Sequence, residues 1–222
     1  ETPREQERID QVCQSLHIAF KVRAVNVQKM IAEEKKSPEE AARFLRYRAL
    51  EEIRQQYDAR YIAVAHTADD QVEEFFIRLL RGSSSRGLSG MRLRRDCIVR
   101  PLLFESKADI MGFLAARGLS WCLDSSNLDR RFLRNRVRLD LLPLLEKDYN
   151  PAVRKTMEQN MDILAQEDDL LEGLAAGAYR QCVESLEVAV QQERRPHLIV
   201  RREAFLALHP AIQRRIMDKS CW

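Results

Sequence analysis

The sequence predicts an α/β fold: a parallel wound sheet flanked by helices over residues 1–140, followed by a helical region over residues 141–222. Three observations carry this prediction. Helix-like periodicity and β-branched runs alternate through the first 57 residues. Residues 61–65, Tyr-Ile-Ala-Val-Ala, make the short continuous apolar run expected of a strand covered on both faces. Another helical pattern starts almost immediately after it. Helix and strand in alternation mark a wound sheet.

The elements follow in order. Ile9, Val12, Cys13 and Leu16 recur at i, i+3, i+4 and i+7, predicting an amphipathic helix over residues 4–16. Residues 18–25 read as a strand through their β-branched content. Ser37-Pro38-Glu39-Glu40 is a helix start, with serine at the N-cap, proline in the first turn and glutamate placed for a capping box. The helix it opens should bury Ala41, Ala42, Leu45, Ala49 and Ile53 and run to Tyr57. Past the 61–65 strand, Val72, Phe75, Phe76, Leu79 and Leu80 form one apolar stripe. Arg100-Pro101-Leu102-Leu103 reads as a further short strand or crossing segment. Ser106 should cap a helix that ends at Gly118 as C′. After Pro143 the texture turns helical, with a short strand near residues 198–200 as its one expected exception.

The 222 residues are 45% hydrophobic and 32% charged, enough for one good-sized domain or two small ones with a real core. No apolar run approaches the ~18 residues of a membrane-spanning helix. Seven glycines and seven prolines exclude collagen-like and loop-dominated folds. The chain starts without methionine or a signal-peptide pattern, as an excised or processed piece would. Five cysteines, Cys13, Cys97, Cys122, Cys182 and Cys221, are scattered and never spaced as C-x-x-C. That pattern fits reduced core cysteines in a cytoplasmic protein, not a disulfide scaffold or zinc ribbon.

Chemistry concentrates in three stretches. In Ala65-His66-Thr67-Ala68-Asp69-Asp70-Gln71-Val72-Glu73, His66, Asp70 and Glu73 stand at i, i+4 and i+7 beside a strand end, where open α/β sheets bind ligands. The expectation is that they point into the crevice, not the core. Two carboxylates suit Mg²⁺, with Asp70 as its expected ligand, or an ammonium group; an imidazole can polarise a substrate or move a proton. Acids in a first helical turn also complement the helix dipole, so a purely structural role stays open. The Gly-, Ser- and Arg-rich segment from Arg81 to Gly90, including Arg86, could bring backbone N–H groups and guanidiniums to phosphates, or be a solvent loop. Arg130, Arg131, Arg134, Arg136 and Arg138 put five arginines into nine residues without an acid, which favours a phosphate-rich partner.

Together these stretches resemble the tRNA(Ile)-lysidine synthetases, N-type ATP pyrophosphatases built on a PP-loop. The resemblance rests on Glu39-x-x-Ala42-Arg43-x-x-Arg46-Tyr47, Ala65-His66-x-x-Asp69-Asp70-x-x-Glu73, Leu80-Arg81-Gly82 and Arg86-Gly87-Leu88-x-Gly90-Met91. It continues through Arg100-Pro101-Leu102-Leu103, Gly118-Leu119-x-Trp121, Asp124-x-Ser126-Asn127, Arg134-Asn135-x-x-Arg138 and Leu142-Pro143. The family's S-G-G-x-D-S phosphate loop occurs nowhere in the sequence, which is expected to be a fragment inactive alone.

The resemblance implies ATP and Mg²⁺ as cofactors and L-lysine as co-substrate. ATP would adenylate C2 of the wobble cytidine of tRNA(Ile), and lysine would displace AMP. It implies catalytic roles for His66, Asp70, Glu73 and Arg134, and ATP or lysine binding by Asp69, Asn135 and Arg138. Arg81, Arg86, Arg130, Arg131 and Arg136 would grip tRNA. The implied partners are tRNA(Ile) with a CAU anticodon and, in a homodimer, a second copy of the chain, with no membrane. A PP-loop tRNA thiolase and a non-catalytic RNA-binding protein are the rival readings. Replacing Asp70 or Glu73 by its amide should cut lysidine formation by at least ~10²-fold while moving thermal stability little.

Overall fold

The computed structural model describes residues 3–34, 37–121, 125–190 and 193–220. Cys122, Asp124, Cys221 and Trp222 lie outside the described residues. In chain order the elements are α1 (Pro3–Ser15), α2 (Val27–Glu34), α3 (Pro38–Gln56), β1 (Ile62–Ala63), α4 (Ala68–Leu80), α5 (Ser85–Leu88), β2 (Arg94–Arg95), β3 (Ile98–Val99) and α6 (Lys107–Ala116). A 3-10 turn (Ser125–Leu128) precedes α7 (Leu133–Arg136), a π-helical turn (Val137–Leu141) and α8 (Leu142–Asp148). Then come α9 (Val153–Cys182), β4 (Val183–Val190), β5 (Glu193–Val200), α10 (Arg202–Leu206) and α11 (Pro210–Ser220). By packing, residues 1–70 and 92–129 make one compact unit, and 71–91 with 130–222 make another.

The first unit holds a three-stranded sheet of order β1-β3-β2. β1 and β3 run parallel, Ile62 opposite Ile98 and Ala63 opposite Val99, and β2 pairs antiparallel with β3. The sheet is mixed and short. Ile62 is buried but Ala63 is exposed, so the strand is covered on one face, not on both as its apolar run suggested. Residues 18–25 form no strand; they are irregular, with Ile18, Val22 and Val25 exposed. A β-branched run becomes a strand only where a partner strand takes up its backbone hydrogen bonds.

Local signals held up better. Ser37 caps α3 through the reciprocal box with Glu40, as its sequence requires. Ser106 caps α6 by accepting from the Asp109 amide. Gly118 ends α6 at φ +66°, with its own amide donating to Ala115 and that of Leu119 to Leu114, the paired bonds of a Schellman stop.

The second unit has two apolar clusters. Val72, Phe75, Ile77, Val137, Leu142 and Met161 form one, and Ala175, Ile212 and Ile216 the other. The expected stripe on α4 is thus shifted: Val72, Phe75 and Phe76 pack inward with Ile77, while Leu79 and Leu80 are exposed. The C-terminal region is not all helix apart from one short strand. β4 and β5 pair antiparallel over eight residues each, joining Val183 to Val200 and Val190 to Glu193. The polar run Gln191-Gln192-Glu193-Arg194-Arg195 and Pro196 interrupt the apolar pattern and hide that strand pairing from a pattern count. Among the described residues no helix is long and apolar enough to cross a membrane.

Candidate active site

In the first unit, His66 stands in the link between β1 and α4, half-buried, not on the helix. The following turn is a capping box. Asp70 Oδ2 accepts from the Thr67 amide at 2.9 Å and from its hydroxyl at 3.0 Å, and the Asp70 amide returns a longer bond of 3.4 Å to Thr67 Oγ1. Asp69 Oδ2 accepts from the Lys107 amide at 2.7 Å, so it satisfies an orphan donor in the first turn of α6. Lys107 Nζ lies 4.0 Å from Asp70 Oδ1. The starts of α4 and α6 are therefore already complemented by this chain's own carboxylates.

Whether Asp70 sits in a metal cage can be tested directly. No group of three or more His, Cys, Asp or Glu side chains among the described residues is arranged to hold a metal ion. Asp70 spends one oxygen on the cap and turns the other toward an ammonium group. Magnesium commonly takes one or two carboxylates and completes its shell with substrate phosphates and water. The described protein groups do not make such a site by themselves.

Arg100 follows β3 directly and is buried, with 6% exposure. Its Nε–H donates to His66 Nδ1 at 3.3 Å and its Nη1 to the Arg92 carbonyl at 2.7 Å. Burial pushes its guanidinium below the ordinary value, the nearby Tyr47 hydroxyl opposes the shift, and Arg43 and Arg95 act in the same direction as burial. On α3, Glu40, Arg43, Phe44, Tyr47 and Arg48 line an open groove of about 560 Å³, and Arg43 stacks over the Tyr47 ring at 5.3 Å. Arg100 and Tyr47 belong to the motifs that carry the family resemblance, which implies no role for either. A buried arginine is the signal that only the fold reveals.

In the second unit, Glu73 is the focus. It is 1% exposed, not turned to a crevice as expected. Arg134 Nε meets its Oε2 at 2.9 Å, while Arg138 donates Nε to Oε1 at 2.6 Å and Nη2 to Oε2 at 2.9 Å. The side chains of Arg134 and Arg138 keep 24% and 22% of their surface in solvent. The backbone explains why both reach one carboxylate. They stand four residues apart in a helix whose π turn is closed by the Leu142 amide bonding the Val137 carbonyl. Pro143 follows at once and cannot donate an amide bond, so the widened turn fits a missing link in the ladder. Asn135 between them is buried.

The remaining arginines separate from this pair. Arg130 is exposed and pairs with Asp140 at 3.1 Å; Arg131 and Arg136 are exposed. The 81–90 segment is no loose loop. It contains α5, the Gly87 carbonyl accepts from Arg78 Nη1 at 2.8 Å, and the Met91 amide donates to Gln71 Oε1 at 2.5 Å. Exposed Arg86 stands 3.9 Å from Glu172 on α9. Cys182 is buried, whereas Cys13 and Cys97 are only half-buried; none of the three is in a disulfide.

The chain has relatives among known proteins. A family model described as the PP-loop domain matches residues 1–145. The tRNA(Ile)-lysidine synthase of Clostridium acetobutylicum is 32% identical over 203 residues, covering 91% of this chain and 42% of that protein. Its namesake in Geobacillus kaustophilus is 33% identical over 222 residues, 98% of this chain and 46% of the relative. That of Parabacteroides distasonis is 39% identical over 165 residues, 74% of this chain and 37% of the relative. The chain spans less than half the length of these relatives. With the PP-loop match running over residues 1–145 of 222, the chain belongs to the PP-loop domain family, whose members use ATP.

Proposed function

We propose that this chain is part of an enzyme that ligates L-lysine to C2 of the wobble cytidine of tRNA(Ile). The C2 oxygen would attack the α-phosphorus of ATP and release pyrophosphate; the lysine ε-amino nitrogen would then attack C2 and expel AMP. The base must be splayed from the anticodon loop to be reached. Residues 1–140 would form the ATP-using α/β domain, its short mixed sheet belonging to a larger wound parallel sheet, and residues 141–222 a helical substrate-binding region. The setting is cytoplasmic, with a CAU anticodon on the tRNA, magnesium carried by the ATP phosphates and a second copy of the chain as partner.

One observation carries the reading: Glu73 holds Arg134 and Arg138 side by side at 2.9 and 2.6 Å, with part of each guanidinium in solvent. Two oriented guanidiniums suit charge developing on a phosphoryl group or substrate oxygen. His66 and Asp70 would act in catalysis beside Glu73 and Arg134, Asp69, Asn135 and Arg138 would bind ATP or lysine, and Arg81, Arg86, Arg130, Arg131 and Arg136 would contact tRNA phosphates.

The test is single-turnover lysidine formation beside tRNA affinity at two salt concentrations, in the full-length gene product. Arg134→Ala should abolish product with little loss of tRNA affinity. Arg130→Ala, Arg131→Ala and Arg136→Ala should instead weaken binding and lower the salt slope by about one each. Equal small effects at every position would reduce the cluster to a charged surface.

A further inference from the structure

The geometry points to Arg100 as the positioning residue of His66: by donating Nε–H to Nδ1, it holds the imidazole neutral with its proton on Nε2, so that His66 meets substrate as a hydrogen-bond donor and not as a general base. This rests on the reading of His66 as a site residue. It decides between the two roles an imidazole could take there.

The sense of the bond is fixed by chemistry. A guanidinium carries five N–H donors and no acceptor. Where Arg100 Nε stands 3.3 Å from His66 Nδ1 with the hydrogen between them, the ring nitrogen must offer its lone pair. A neutral imidazole with an occupied lone pair on Nδ1 keeps its single proton on Nε2.

The fold makes the contact durable. β1 and β3 are parallel neighbours with Ala63 opposite Val99, so the residues that follow them, His66 and Arg100, leave the sheet at one edge. The Arg100 amide is tied to the Leu93 carbonyl at 2.9 Å and its Nη1 to the Arg92 carbonyl at 2.7 Å. With 6% exposure and these anchors, the head group has little freedom to turn away from the ring.

The consequence is a division of labour. In the proposed first step, negative charge moves onto the pyrophosphate leaving group, and an Nε2–H donor stabilises it without a proton transfer. In the second, the lysine ε-ammonium must lose a proton before its nitrogen attacks C2. That proton passes to solvent water and not to His66, whose acceptor nitrogen is committed to Arg100.

The test uses ring nitrogen spectra of the chain labelled with ¹⁵N-histidine. It contains four histidines, and the signals lost in His66→Gln assign the ring. The expected result is an unprotonated Nδ1 and a protonated Nε2 for His66 at neutral pH. Arg100→Met should shift the Nδ1 resonance toward that of an acceptor without a donor. A proton on Nδ1, an imidazolium, or an Nδ1 resonance indifferent to Arg100→Met would overturn the proposal. A second arm leaves Arg100 in place. In full-length gene product, His66→Gln puts an amide donor near the Nε2 position and should keep lysidine formation within about tenfold, while His66→Asn and His66→Ala lose at least ~10²-fold. Full activity in His66→Ala would remove His66 from the site, whatever its tautomer. Equal loss in Gln, Asn and Ala variants would return the proton-transfer role to the ring.

Discussion

The second unit contains two carboxylate–arginine clusters that look alike on paper and differ in what they leave open. Glu73 is sealed at 1% exposure, but the arginines it holds are 22–24% exposed. On α9 and α11, Asp168 and Arg215 meet at 2.7 Å with 3% and 8% side-chain exposure, and Glu172 adds Arg215 at 3.5 Å and Lys219 at 2.7 Å. The carboxylates stand at i and i+4 on α9, the cations at i and i+4 on α11, next to the Ala175, Ile212 and Ile216 core. One cluster presents its cations to solvent; the other encloses its central pair. A buried ion pair is therefore no mark of function by itself. Access to the guanidiniums is what separates a site from a fastening.

The sharpest way to break that distinction is at the enclosed pair. Asp168→Asn leaves Arg215 buried beside a neutral amide and should cost about 3–5 kcal/mol of unfolding free energy. Turnover per folded molecule should not change. Asp168→Leu combined with Arg215→Met should recover most of the loss, because an apolar pair of similar volume removes both desolvation penalties. Denaturant unfolding of the two variants decides it; a double mutant as unstable as the single one would mean the ion pair itself is needed.

At the open cluster both properties should fall together. Glu73→Gln should cost about 2–3 kcal/mol, less than Asp168→Asn because water screens the partly exposed arginines. Lysidine formation in the full-length protein should fall by at least ~10²-fold, through misplaced guanidiniums. This amends the expectation that the substitution spares stability, which assumed a carboxylate facing the crevice. Thermal unfolding with unchanged midpoint would show that the arginines stay in place without Glu73.

Two smaller effects test whether the flanking segments are scaffold. Gly90 sits at φ +76°, and an added Cβ would come within 2.9 Å of Gln71 Oε1 and 3.1 Å of Met161 Sδ. Gly90→Ala should therefore cost ~1–2 kcal/mol, as left-handed backbone does for an L side chain. Thr67→Ala removes one half of the Thr67–Asp70 box and should cost ~1 kcal/mol. Chemical denaturation of each variant checks both numbers. A Thr67→Ala chain as stable as the parent would mean that the box does not hold the start of α4.

What was legible in the sequence follows from how local its cause is. The Ser37 box, the Ser106 cap and the Gly118 stop depend on residues within a turn, and each stands where its sequence puts it. The His66 to Glu73 stretch and the arginine run were legible as motifs, but not as geometry. Glu73 and Arg134 are 61 residues apart, and only folding shows that the acid is enclosed by the arginines. Asp168 and Arg215 carry no motif at all, since an acid and a base on two amphipathic helices look like solvated faces. The strand expected at residues 18–25 failed for the same reason: β-structure is decided by a distant partner, which no local pattern supplies.

The smallest effect concerns a third pair, local and half-buried, which completes the comparison from the solvent side. On α3, Glu51 accepts from Arg54 at 2.7 and 2.8 Å and from Gln55 at 2.8 Å. The Arg54 guanidinium first, and the Gln55 amide next, hold its carboxyl down to about 2 from the ordinary 4.5. A carboxylate depressed in the folded state stabilises the protein above its unfolded value and loses that contribution as the pH falls through the folded one. The window here runs from about pH 4.5 down to about pH 2. The stability difference between the parent chain and Glu51→Gln should therefore be constant near neutral pH and shrink across that window. Because the pair keeps 26–37% of its side-chain surface in solvent, added salt should reduce the same difference, whereas the Asp168→Asn difference should hold, its ions being shielded from the electrolyte. Acid titration of stability at low and high ionic strength reads both. A Glu51 contribution as indifferent to salt as that of Asp168 would mean that exposure does not sort these pairs.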